Sequence, residues 1–158
     1  MGDANRDDDI ARLQRQVREL LDRNEIVTLI SRLGLMLDEK RFDDIRSICT
    51  DDVVADFPTT GAGEIRGVEA LAAHGRKSQG RFERAHHVIT DHLVDLDGDR
   101  ATVRANLIAT HVHRADAPGS HYDVGEYYRF EMIRTPEGWR ISRVNPNQVW
   151  TAGVRPTS

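Results

Sequence analysis

Cysteine is nearly absent: Cys49 stands alone among 158 residues, so the chain forms no internal disulfide. It sits in DDIRSICTDD beside Ile45 and Ile48 and reads as a small packed hydrophobe rather than a nucleophile. A basic excess is missing too. The chain carries 22 basic and 26 acidic side chains, a net charge of −4, which argues against a nucleic-acid partner. Aromatic residues make up only 6%, too few for base-stacking platforms. No run approaches the roughly 18 apolar residues of a membrane span. MGDANRDDDI lacks the basic-then-apolar order of a signal peptide. A cytoplasmic protein off the membrane is the expectation. Gly-rich phosphate loops, Cys-x-x-Cys and Gly-x-Ser-x-Gly are also absent, which removes the usual nucleotide, zinc or redox, and hydrolase signatures.

The length suits one domain. Residues 1–8 are small and charged and are expected to be disordered; residues 9–152 form the domain and 153–158 a tail. Ile10, Leu13, Val17, Leu20 and Leu21 fall on one helical stripe. Asp22 and Glu25 then resemble a capping box and predict a fresh helix start. The following run, from Ile26 to Leu37, is apolar on most sides and closes at Asp38. A short helix is expected at 42–49, short strands at VVADFP and EIRG around the turn TTGAG, and a helix in GVEALAAHGRKSQG with Val68, Leu71 and Ala72 inward. The rest reads as β. HHVITDHLVDL and RATVRANLIATHVH flank Asp97-Gly98, a strong hairpin signal; HYDVGEYYRFEMI and WRISRVNPNQVW follow around the turn TPEG. Helices first and a meander second predict an α+β fold: a curved antiparallel sheet packed against helices, a cone around an apolar pocket fit for a small hydrophobic molecule.

The chemistry concentrates in histidine. Six of the seven lie between residues 86 and 121, and only His74 lies on a helix. Strand parity across the hairpin places His86, Val88, Val94 and Leu96 on one face with Ala101, Val103, Ala105, Leu107, Ala109, His111 and His113. The other face carries His87, Asp91, Asp95, Arg104 and Asn106. His86 and His111 are thus expected inside, and a β-bulge would exchange His86 for His87. Buried imidazoles need partners. Asp38 is the leading acid, because a carboxylate at a helix C-terminus is electrostatically unfavourable unless another group holds it. Asp56 ranks below it. Phe57, His113, Glu126, Tyr128 and Asn145 are candidates to contact substrate, with Tyr127 a further hydroxyl. His111-x-His113 is the one metal-like pair, but no third ligand follows at short spacing. No metal and no cofactor are expected.

LMLDEKRFDDIRSICTDDVVADFP, HHVITDHLVDLDGDRATV and GEYYRFEMIRTPEGWRISRVNPNQVW together resemble the SnoaL-like branch of the NTF2-like superfamily over about residues 22–150. Within it the chain looks closest to scytalone dehydratase and the bile-acid dehydratases. The resemblance implies that Asp38 orients a catalytic imidazole at His86 or His87. Parity prefers His86; the family spacing His-x-x-x-Asp, here His87 to Asp91, prefers His87. His111 matches a second catalytic histidine. Phe57 and Leu37 stand where scytalone dehydratase has tyrosines, and Glu126 near its asparagine, which argues against the fungal substrate.

The resemblance implies a cofactor-free dehydratase. The His–Asp pair would remove a proton beside a carbonyl and His111 would protonate the leaving hydroxyl, on an enolisable ring such as a polyketide or steroid-like compound. Polyketide cyclisation or ketosteroid-type isomerisation would use the same parts. A non-catalytic ligand-binding module, or a structural subunit like the small subunit of ring-hydroxylating dioxygenases, shares the fold. The 10–21 stripe needs a surface to bury against, so a homo-oligomer is expected, a trimer by resemblance to the dehydratases.

Overall fold

The computed structural model describes residues 2–58 and 61–155, with side chains from Arg6 onward. Helix α1 (Gly2–Asp38) precedes a 3-10 helix (Phe42–Ser47), strands β1 (Cys49–Phe57) and β2 (Gly63–Arg66), helix α2 (Val68–Gln79), and strands β3 (Arg84–Asp97), β4 (Arg100–Val112), β5 (His121–Thr135) and β6 (Gly138–Gly153). The six strands form one curved sheet in the order β2-β1-β6-β5-β4-β3. The helices pack on its inner face, giving the expected α+β cone. Of the expected TTGAG turn, Thr59 and Thr60 lie outside the described residues, as do 156–158 of the tail.

The sheet is mixed rather than wholly antiparallel. β1 pairs with β6 in parallel, Ala55 opposite Val144. A parallel pair needs a long crossover, and here α2 and the β3–β5 meander together supply it.

The helical segment also differs from expectation. α1 is a single helix that runs through residues 2–8 and straight past Asp22. Acidic residues in the opening turns suit the helix dipole, and Arg12 pairs with Asp9 one turn away at 3.1 Å. The Asp22/Glu25 pair does not cap a new helix because its carboxylates have partners in the sheet. Arg134 donates to both oxygens of Asp22 at 2.7 and 2.6 Å, and the Trp139 indole N–H donates to it at 3.1 Å. Glu25 accepts the Trp139 backbone N–H at 2.8 Å. These bonds clamp α1 onto the β5–β6 hairpin. Below them Ile26, Leu29, Ile30, Leu33 and Met36 enter the core with Phe130, Met132, Trp139 and Ile141. The stripe Ile10, Leu13, Val17, Leu20 and Leu21 stays exposed.

Strand β4 alternates as expected: Ala101, Val103, Ala105, Leu107, Ala109 and His111 are buried. β3 shares that phase only in its second half. Val94 faces Val103 and Leu96 faces Ala101, but two residues of β3 lie between Thr90 and Leu93 where β4 has one between their partners Asn106 and Arg104. The extra residue is a bulge. Asp91 adopts φ 55° there, a conformation Asp tolerates better than most residues. Its carboxylate accepts from the Asn106 amide at 2.8 Å. Before the bulge the parity is reversed.

Candidate active site

The bulge decides the histidine pair, and it overturns the parity reading. His87 points into the cone with its side chain 4% exposed, while His86 lies outside at 77%. α1 meets β3 at Gly34, where a Cβ would sit 3.3 Å from Ile89 Cδ1. That close approach brings Asp38, one turn further on, against His87. Asp38 Oδ1 lies 2.7 Å from His87 Nδ1 and accepts the His87 backbone N–H at 2.8 Å. The carboxylate at the helix end is therefore held by two donors. Its second oxygen is 3.5 Å from His86 Nδ1.

Because a carboxylate only accepts, the His87 proton sits on Nδ1 and Nε2 carries none. Burial pushes the His87 pKa down, and the hydrogen bond and charge of Asp38 oppose that shift. The ring is neutral at pH 7 and ready to take a proton.

His87 lines a cavity of about 460 Å³. The sheet contributes His111, Leu107, Ala109, Tyr122, Val124, Glu126, Tyr128, Pro146 and Gln148; α2 contributes His74, Ser78 and Gln79; Phe57, Gly61, Ala62, Arg81 and Phe82 complete the wall. The His111 ring stands edge-on to His87, centroids 5.4 Å apart. Its Nδ1 faces the Tyr122 carbonyl at 3.3 Å. Burial, and next the neighbouring His87, push its pKa down to about 4. The acid role expected of His111 does not fit these surroundings. The ring is neutral, its one proton is given to Tyr122, and Nε2 is an acceptor buried without a partner.

Glu126 and Tyr128 share the inner face of β5 and both line the cavity. Among the described residues no cation pairs with Glu126. Burial raises its pKa, and a hydrogen bond with Tyr128 opposes the rise. The Tyr128 hydroxyl is held well above its ordinary pKa by burial and by Glu126. The wall thus holds a carboxyl whose pKa burial raises.

Phe57 lines the cavity and stacks on His74, centroids 4.6 Å apart. Two expected contacts lie elsewhere. Asn145 has the wrong parity: Pro146 and Gln148 face the cavity, while Asn145 reaches Asp56 at 3.5 Å and accepts from Asn147. His113 sits past the rim, where Nε2–H donates to the Val154 carbonyl at 2.8 Å. Among the described residues no three His, Cys, Asp or Glu side chains are grouped to hold a metal ion. The sequence reading passed over His74, Gln79, Phe82 and Tyr122. For His74 and Gln79 a signal was present: the inner stripe of α2, continued past Ala72, reaches this part of the wall.

Among solved structures, the chain resembles the Kfla4162 protein of Kribbella flavida at 34% identity and TM-score 0.79, over 85% of this chain and 95% of that one. A protein of Novosphingobium aromaticivorans, provisionally named a scytalone dehydratase, matches at 14% identity and TM-score 0.76 over 89% and 92%. The hexachlorocyclohexane dehydrochlorinase LinA-type3 of Novosphingobium barchaimii matches at 17% and 0.76 over 88% and 94%. The last two likenesses show the shared NTF2-like fold. The SnoaL-like domain model matches residues 18–145, and the chain belongs to that family.

Proposed function

We propose that the protein is a cofactor-free lyase that eliminates water from a small enolisable ring. The observation that carries this reading is the 2.7 Å contact between Asp38 and His87 at the wall of a 460 Å³ cavity. His87 Nε2 removes the proton beside a ring carbonyl, and Asp38 stabilises the imidazolium that forms. The released electron pair forms the C=C bond as the C–O bond breaks, and the hydroxide leaves as water with a proton from Glu126. The imidazolium then returns its proton to the Glu126 carboxylate, directly or through the released water. Each general acid or base supplies about 10²–10⁴-fold. The scytalone dehydratase and dehydrochlorinase names carried by fold neighbours both describe eliminations, which supports this class. Isomerisation and aldol cyclisation begin with the same enolate.

The test is turnover of cyclic β-hydroxyketones, followed by ultraviolet absorbance of the conjugated product. Wild type should dehydrate at least one member, and His87→Gln and Asp38→Asn should each lose about 10²–10⁴-fold. A rearranged or cyclised product would move the assignment to isomerase or cyclase. Folded wild-type protein that binds the ketones without turning them over would favour the binding module.

We also propose that the protein is a homo-oligomer, with the trimer favoured by resemblance and the apolar stripe of α1 as the buried face.

A further inference from the structure

The chamber beside His87 meets solvent where its wall is exposed. Gly61, Ala62 and Arg81 are the exposed lining residues, and the others are buried or half-buried. Among the described residues Arg81 is also the only lysine or arginine in that wall. Burial pushes all three histidines of the chamber below their ordinary pKa. Arg81 therefore carries the one lasting positive charge there.

The backbone around Arg81 is fixed, and its guanidinium is unclaimed. The Gly80 N–H donates to the Arg76 carbonyl at 2.9 Å, and the Phe82 N–H to the Gln79 carbonyl at 3.2 Å. These bonds already satisfy carbonyls at the end of α2, so the guanidinium is not needed to cap it. Phe82 is 5% exposed, packs on His111 with ring centroids 4.8 Å apart, and its carbonyl accepts from the Lys40 ammonium. The turn that bears Arg81 is thus tied to the end of α1, close to Asp38. Nearby, Arg76 pairs with Asp43 and Arg114 with Asp116. Among the described residues no carboxylate pairs with Arg81.

A guanidinium is a planar, permanently charged fork that matches a carboxylate. The end of α2 carries partial negative charge, which one guanidinium offsets better for a monoanion than for a phosphate dianion. The chamber, about 460 Å³, lies in the lower part of the range of about 300–1,000 Å³ for ligand pockets. That suits a compound of one or two rings.

We propose that Arg81 is a specificity-determining residue that binds a carboxylate carried by the ring substrate, at the mouth of the chamber, with the ring inside against His87. This deepens the lyase reading by naming the substrate class. It rests on that reading for the reaction, but its binding test does not depend on turnover.

The probes are 3-oxocyclohexanecarboxylate, its methyl ester and its carboxamide. None carries a leaving hydroxyl, so calorimetry on the full chain reads binding alone. The carboxylate should bind about tenfold more tightly than the ester or the amide. That margin should shrink as salt rises to about 1 M. Arg81→Gln should bind all three alike, and Arg81→Glu should bind the carboxylate worst. Arg84 is exposed and does not line the chamber, so Arg84→Gln should keep the wild-type margin. Equal affinity for acid and ester overturns the proposal. So does a margin that survives in Arg81→Gln or vanishes in Arg84→Gln, or failure of the carboxylate to bind at millimolar concentration. A margin that depends on Arg81, without dehydration of any hydroxyketone, would overturn the lyase reading alone. Dehydration of uncharged hydroxyketones with no carboxylate margin would overturn this proposal alone.

Discussion

At the scale of the residue, the site turns on two neighbouring histidines whose protonation is set by different neighbours. Burial lowers both pKa values; Asp38 opposes the shift at His87 through a hydrogen bond and its charge, whereas at His111 Asp123 and Asp38 oppose it through charge alone and only after the Tyr122 carbonyl. A neutral base requires that kcat/KM fall as pH drops through a midpoint below the ordinary histidine value of about 6.5. Asp38→Asn removes an influence that raises the His87 pKa, so the acid limb should move to still lower pH. Stability responds with the same sign. His111 titrates near 4 when folded and near 6.5 when unfolded, so the unfolded chain binds more protons between those values. Its contribution is present above pH 6.5 and is lost as pH falls towards 4, by about 3 kcal/mol. Urea melts across pH 4–7 check this: His111→Leu should flatten the dependence, and an unchanged slope would contradict a buried neutral imidazole.

At the scale of the element, the decisive feature is one extra residue in β3. The alternating pattern of β4 was legible because every inward position is apolar or imidazole and the strand has no irregularity. The first half of β3 was not, since parity counting carries an error of one residue across any bulge. The spacing His87-x-x-x-Asp91 did contain the answer in another form: Asp91 is the bulge residue, and its backbone sets the phase that turns His87 inward. The Asp22/Glu25 pair misled for a related reason, because a capping signal is local whereas these carboxylates bond residues more than a hundred positions away. Asp91→Asn should keep the bulge, since Asn also adopts positive φ. Asp91→Val should cost about 1–3 kcal/mol and lower turnover by more than its loss of folded protein explains. Thermal melts and kcat on the same preparations measure the two effects, and a Val variant with normal kcat would show that the bulge does not depend on Asp91.

At the scale of the whole molecule, α1 serves two purposes along its 37 residues. Its second half carries Asp38 and closes the cone, and its first half carries an apolar stripe that stays exposed among the described residues. Leu13→Glu with Leu20→Glu should lower the mass seen by light scattering to that of one chain while leaving ligand binding in the cavity intact. A wild-type monomer at micromolar concentration would remove the oligomer proposal. The clamp that holds α1 has a consequence in time. Asp22 and Glu25 leave the ribosome early, but Arg134 and Trp139, 112 to 117 positions later, leave near the end. β1 likewise waits for β6, its parallel neighbour. β3 and the 3-10 helix can take the oily underside of the first helix earlier, but its polar clamp has no partner until translation is almost complete. The amino-terminal helix is the first element made and among the last to be secured.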